Sequence, residues 1–215
     1  MLKLVIFDYD GLMVNSEHVV FAAEKEQFQK YNKELTWEYF CESIGVPVAD
    51  ALKMYMKDHN LPVVFEEFLS ERNAYVAKYL ESNLALMPGL LSLIKSVKEK
   101  GVTMAIATSG KRDYINWGLQ KFAISDYFKT VICIDDVERG KPHPDLFLKV
   151  LEKESIKPEE TIILEDSLHG IEAAYRANIF SIAVPTKGID FTQYGKAGLI
   201  VDSLEKVDNF FRLIN

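Results

Sequence analysis

The chain has 215 residues, 48% of them hydrophobic and 27% charged, an ordinary globular composition on a length that can bury a full core. Its formal charge of -7, from 25 basic and 32 acidic residues, argues against nucleic acid or an anionic membrane as partner. The two cysteines, Cys41 and Cys133, lie far apart in apolar contexts and read as reduced, buried thiols, not as a disulfide framework or zinc site.

No basic, then apolar leader opens the chain, and no stretch approaches the ~18 apolar residues of a membrane span. A soluble, cytoplasmic protein is therefore expected. The first predicted strand is Leu2–Asp8, which runs directly into Asp8-Tyr9-Asp10-Gly11. From about Asn15 to Leu86 the pattern becomes helical, as in Phe21-Ala22-Lys25-Phe28-Gln29 and Phe65-Phe68-Leu69-Arg72-Tyr75-Val76-Tyr79-Leu80, with Pro47 and Pro62 as turns or helix starts. From about Met87 onward, short apolar runs alternate with amphipathic ones. The runs Val102–Thr108, Thr130–Asp135, Thr161–Asp166, the Phe180 region and Leu199–Val201 suit strands buried on both faces. Between them, helices are predicted with Leu90, Leu91, Ile94 and Val97 on one face, then over Tyr114–Phe122, Pro144–Lys153, Leu168–Ala177 and Leu204–Leu213. Strand and helix in alternation predict an α/β fold, a parallel sheet with helices on both sides, interrupted after its first strand by a helical insertion.

In open parallel sheets, sites form beyond the carboxyl ends of the strands. The first strand delivers Asp8 and Asp10 there, the second Thr108, Ser109 and Gly110, the third Gly140, Lys141 and Pro142, the fourth Glu165, Asp166 and Ser167. Asp8 and Asp10, two residues apart, would project the same way from an extended backbone. With Glu165 and Asp166 they bring up to four carboxylates together, a cluster that a hard divalent cation such as Mg2+ would resolve. Such an ion draws in a phosphoryl group, one carboxylate can attack phosphorus, and another can serve as acid and then base. Thr108 offers a hydroxyl, Ser109 and Gly110 offer backbone N–H groups at a helix start, and Lys141 offers a compact positive charge for phosphate.

Phe7-Asp8-Tyr9-Asp10-Gly11, Ala107-Thr108-Ser109, Gly140-Lys141-Pro142-His143-Pro144-Asp145 and Leu164-Glu165-Asp166-Ser167 resemble, in order, the motifs of the haloacid dehalogenase superfamily, most closely its β-phosphoglucomutase-like phosphatases. The resemblance implies a Rossmann-like, doubly wound core of residues 1–14 and 87–215 and an all-α cap domain of residues 15–86. It implies that Asp8 is the nucleophile and Asp10 the general acid/base, that Thr108, Ser109 and Lys141 bind phosphate, and that Asp8, Asp10 (through its carbonyl), Glu165 and Asp166 hold Mg2+. Cap residues Glu17, His18 and Arg72 become candidates for substrate choice, with Glu42 and Lys53 behind them. A magnesium-dependent monophosphatase acting on a small phosphomonoester such as a sugar phosphate, and working as a monomer, is the expectation. The alternative is a phosphosugar mutase. Against it, the mutase histidine slot falls near Val20, and the stretch where mutases carry an arginine reads Gly45-Val46-Pro47-Val48. A receiver-like phospho-switch is disfavoured by the order of the acids along the chain and by the insertion.

Overall fold

The computed structural model describes residues 1–186 and 188–213. In chain order, β1 (Leu4–Phe7) is followed by four helices, α1 (Ser16–Lys30), α2 (Trp37–Cys41), α3 (Val48–His59) and α4 (Phe65–Asn83). Then come α5 (Leu90–Glu99), β2 (Thr103–Ala107), α6 (Arg112–Lys121), β3 (Thr130–Ile132), α7 (Asp145–Glu154), β4 (Thr161–Glu165), α8 (Leu168–Arg176), β5 (Phe180–Ala183), β6 (Leu199–Ile200) and α9 (Leu204–Leu213). No helix among the described residues is long and apolar enough to cross a membrane.

Every strand pairs in parallel, in the order β3-β2-β1-β4-β5-β6. Burial on both faces explains the continuous apolarity of the runs: all four residues of β1 are fully buried. Leu4 and Ile6 face a cluster with Leu146, Phe147 and Val150 of α7 and Ala173 and Ala174 of α8. On α5 the buried apolar residues are Leu90, Leu93, Ile94 and Val97, whereas Leu91, expected on that face, is 56% exposed. The i, i+3, i+4, i+7 spacing selects Leu93 over Leu91. The third strand stops at Ile132, short of its predicted end at Asp135. The Asp136 carboxylate accepts the Cys133 N–H at 2.8 Å and curls Ile134–Asp136 into a 3₁₀ turn.

From β1 the chain builds outward through β2 and β3 on one side, then returns to β4 on the other. The adjacent carboxyl ends of β1 and β4 therefore flank the topological switch point, where open α/β sheets place their sites.

Contacts divide the chain into two compact units, Met1–Val14 with Leu86–Asn215, and Asn15–Ala85. The second is wholly helical among its regular elements. Its core joins Phe28, Leu35, Phe40, Leu52, Tyr55, Leu61 and Phe68. Its two ends are tied together at Asn15, which donates its N–H to the Ala85 carbonyl at 3.1 Å while its side-chain oxygen accepts the Ala85 N–H at 2.8 Å.

Candidate active site

Asp8 follows β1 directly, and its N–H donates to the Leu164 carbonyl of β4 at 3.0 Å. That ladder bond sets the first acid beside Glu165 and Asp166. Asp8, Glu165 and Asp166 are all buried, and each offers a carboxylate oxygen within 4.8 Å of the others. Lys141, from the loop between β3 and α7, reaches into this group. Its ammonium donates to Asp8 Oδ1 and to Glu165 Oε1, both at 2.5 Å, with its side chain only 5% exposed. Two of the three acids thus share this lysine, and Asp166 lies beside them. Burial pushes the Asp8 carboxyl up to about 8 against the pull of Lys141, and the charges of Glu165 and Asp10 add to the rise. Burial alone would lower the Lys141 ammonium, but Asp8 and Glu165 outweigh it and hold the proton more tightly than in an ordinary lysine.

The surrounding backbone is shaped for these acids. Glu165 Oε2 accepts from the Ser167 N–H at 3.0 Å and from its hydroxyl at 2.9 Å, while the Ser167 oxygen caps α8 by accepting the Gly170 N–H. Gly170 leaves the space this carboxylate fills, since a Cβ there would lie 1.8 Å from it. Gly11, at φ +75°, does the same for Asp166: a Cβ there would stand 2.0 Å from Asp166 Oδ2. The Asp166 carbonyl accepts the Tyr194 hydroxyl at 2.6 Å, and Thr186 Oγ1 lies 3.5 Å from Asp166 Oδ2.

The Asp10 carboxyl stands outside the three-acid group; its Oδ1 accepts the Tyr114 hydroxyl at 2.9 Å. β1 ends at Phe7, Asp10 forms an isolated bridge with Val14, and the chain turns from Gly11, at φ +75°. Thr108 is buried, and its Oγ1 accepts the Gly110 N–H at 2.9 Å. Ser109 is exposed. Two of the backbone N–H groups at this helix start are thus engaged from within the chain: Gly110 by Thr108, and Arg112 by Asp135 Oδ2 at 2.8 Å. Lys141 and the three acids are therefore the charged heart of the site, with Asp10 and Thr108 in the neighbouring turns.

The helical-unit candidates meet different surroundings. Arg72 is drawn into that unit's interior, where its Nε donates to the buried Glu24 at 2.8 Å. Its guanidinium is thereby held in an ion pair within that unit. His18 is exposed and stacks on Trp37 at 4.5 Å, and Glu17 is half-buried.

Sequence reasoning passed over Thr186, Tyr194 and Tyr114. Thr186 was within reach, since it follows β5 at the same sheet edge as the others. Tyr194 and Tyr114 carry no comparable signal, because what they touch depends on how a 3₁₀ turn and a helix are seated.

The donor set suits a hard cation: it is all carboxylate, with no thiolate or imidazole in the group, and buried negative charge exceeds the single ammonium. Comparison with known proteins gives the family. A family profile described as haloacid dehalogenase-like hydrolase matches residues 5–184. A phosphorylated carbohydrates phosphatase of Thermotoga maritima is 30% identical over 178 residues, 83% of this chain and 82% of that protein. The validoxylamine A 7'-phosphate phosphatase of Streptomyces hygroscopicus subsp. limoneus is 28% identical over 210 residues, 96% of each chain. Among solved structures, a β-phosphoglucomutase candidate from Thermotoga maritima superposes with a TM-score of 0.84 at 27% identity, covering 100% of both chains.

Proposed function

The chain belongs to the haloacid dehalogenase-like hydrolases and is a phosphatase of that family, and on that footing we propose that it hydrolyses small phosphomonoesters, phosphorylated sugars foremost, through a transient phosphoryl ester on Asp8. The observation that carries the reading is the buried trio Asp8, Glu165 and Asp166 around Lys141. A nucleophilic carboxylate needs a cation beside it to hold the incoming phosphoryl group, and Lys141 is in contact with this one. The carbohydrate-phosphate relative supports the substrate class. In the stretch that matches, in sequence, the arginine of the mutases, Val46 and Val48 are apolar and exposed and offer no cation.

An Asp8 oxygen attacks phosphorus in line with the ester oxygen, the P–O ester bond breaks, and Asp10 gives the departing alkoxide its proton. Asp10 then takes a proton from water, which attacks the same phosphorus. The Asp8–phosphorus bond breaks, releasing inorganic phosphate and restoring the carboxylate. Lys141 holds Asp8 in line and faces the non-bridging oxygens, and Thr108 orients the turn beside it. Mg2+, held by Asp8, Asp166, Glu165 and the Asp10 carbonyl, would neutralise charge on the phosphoryl oxygens and keep Asp8 ionised against its burial.

A phosphate-release panel of sugar phosphates, nucleotides and small phosphorylated acids, run with Mg2+ and with excess chelator, tests this. Release from sugar phosphates that needs Mg2+ is expected. Isomerised hexose phosphate in place of free phosphate would make the enzyme a mutase, and release only from aryl esters would remove the sugar assignment.

A further inference from the structure

α6 carries two features one turn apart that together aim a hydroxyl at the acid/base position. Tyr114, half-buried, donates to Asp10 Oδ1 at 2.9 Å. Its ring is clamped edge-on by Tyr9 (centroids 5.8 Å apart, planes at 88°) and stacked on Trp117 at 6.2 Å. Gly118, four residues on, sets how closely the helix approaches, because a Cβ there would stand 1.9 Å from the hydroxyl of the fully buried Tyr9. The other carboxylate oxygen, Asp10 Oδ2, lies along Gly110: a Cβ at Gly110 would be 3.3 Å from it and 3.3 Å from Thr108 Oγ1. One oxygen is thus fixed by a phenol, and the other is turned toward the phosphate-side loop.

We propose that Tyr114 is a positioning residue for Asp10, holding Oδ1 so that Oδ2 meets the ester oxygen as it departs. This rests on the acid/base reading of Asp10 given above. A tyrosine suits the task because its rigid ring loses little conformational freedom when clamped, so the oxygen stays where the helix puts it. The benefit falls on the step in which a proton is delivered, and it is largest for a leaving group that cannot depart without one. The site is thereby biased toward alkyl phosphates, whose alkoxides are strongly basic.

The test uses benzyl, phenyl and 4-nitrophenyl phosphate, which are similar in shape and decreasing in leaving-group basicity, with Mg2+ present. kcat/KM is the readout, since it ends at departure of the alcohol and is blind to the later hydrolysis step. Tyr114→Phe keeps both ring contacts. It should lower kcat/KM for benzyl phosphate by about 10- to 100-fold and for 4-nitrophenyl phosphate by less than about threefold. An equal fall on all three esters, or no fall on any, overturns the proposal. Asp10→Asn, run alongside, should show the same trend more steeply. If it shows none, the acid/base reading itself fails; if it does and Tyr114→Phe does not, only the role of Tyr114 fails.

Discussion

The helical unit and the strand-end cluster bury acids in opposite ways. In the helical unit the buried Glu24 and the half-buried Glu71 each have their own partners. Glu24 meets Arg72 at 2.8 Å, and Glu71 is engaged by Lys30, by the Tyr31 hydroxyl at 2.7 Å and by Gln27 at 3.4 Å. At the carboxyl ends of β1 and β4, three buried acids cluster about one ammonium: Asp8 and Glu165 share Lys141, and Asp166 lies within reach of both acids. Folding alone favours the first arrangement, because an unmatched buried charge is costly. The second is a standing electrostatic strain of the kind that a bound cation would relieve. The same residue types therefore mean different things in the two places: pairing marks structure, and surplus marks chemistry.

Removing the surplus acid tests this most severely. Asp8→Asn should lower kcat by about four orders of magnitude or more, as loss of a covalent nucleophile does. It should leave the metal-free protein as stable as the wild type or more so, because the cost of burying an ionisable carboxyl there is gone. Turnover assays and urea unfolding in chelator measure the two sides. Retained hydrolysis would break the contrast, since the surplus would then have no chemical purpose.

The next largest effect is a pH dependence. In the metal-free fold Asp8 keeps its proton up to about 8, whereas the unfolded chain releases it near the ordinary aspartate value of about 4. Between these limits the folded state binds more protons, so stability falls as pH rises, by at most ~1.4 kcal/mol per pH unit for this one group. Burial raises Glu24 in the same sense, against the pull of Arg72. Asp136 and Glu154, where hydrogen bonds and ion pairs outweigh burial, act oppositely, weakening the fold only as the pH drops through the ordinary carboxylate range and below. The melting temperature of the chelated protein should therefore decline from pH 5 to pH 8, and saturating Mg2+ or Asp8→Asn should flatten the decline. A decline unchanged by both would place its origin elsewhere.

In the helical unit, Arg72→Ala should cost about 3–5 kcal/mol of stability, because it strands Glu24, whose Oε2 already lacks a hydrogen-bond partner among the described residues. Arg72→Met combined with Glu24→Gln should recover much of that loss, with KM little changed in either variant. An increase in KM at unaltered stability would instead give Arg72 a substrate contact.

The arginine also shows where legibility stops. The sheet was readable because β1, β2 and β4 are buried on both faces and so are apolar without interruption. The insertion was readable because the period changes at Asn15. Acids, threonine and lysine at strand ends were readable because a parallel sheet brings its carboxyl ends to one edge. Partnerships across the fold were not. Glu24 and Arg72 lie 48 residues apart. Nothing local in Lys111-Arg112-Asp113-Tyr114 shows that the tyrosine hydroxyl reaches Asp10, since that depends on how α6 is rotated against Tyr9. A local bond had the same effect at Thr108, whose own side chain claims the Gly110 N–H that otherwise reads as a phosphate donor.

The smallest expected effect separates strain with a purpose from strain without one. Tyr9 sits between the two motif aspartates, fully buried, and its hydroxyl has no hydrogen-bond partner among the described residues. Burial, with the Asp10 charge, holds that proton well above the ordinary tyrosine range, so the group stays neutral and takes no part in charge balance. A buried, unpaired hydroxyl is a cost that a phenyl ring avoids. Tyr9→Phe keeps the edge-on contact with Tyr114, so stability should stay level or rise by up to about 1 kcal/mol, with kcat/KM for benzyl and 4-nitrophenyl phosphate unchanged. Gly118→Ala in the wild type drives a methyl against that hydroxyl and should destabilise. In the Tyr9→Phe background the clashing oxygen is gone and part of the loss should return, an interaction that a double-mutant cycle reads directly. If the Gly118→Ala loss is the same in both backgrounds, the Tyr9 hydroxyl does not set the approach of α6. The strand-end unit would then hold only the strain its acids impose.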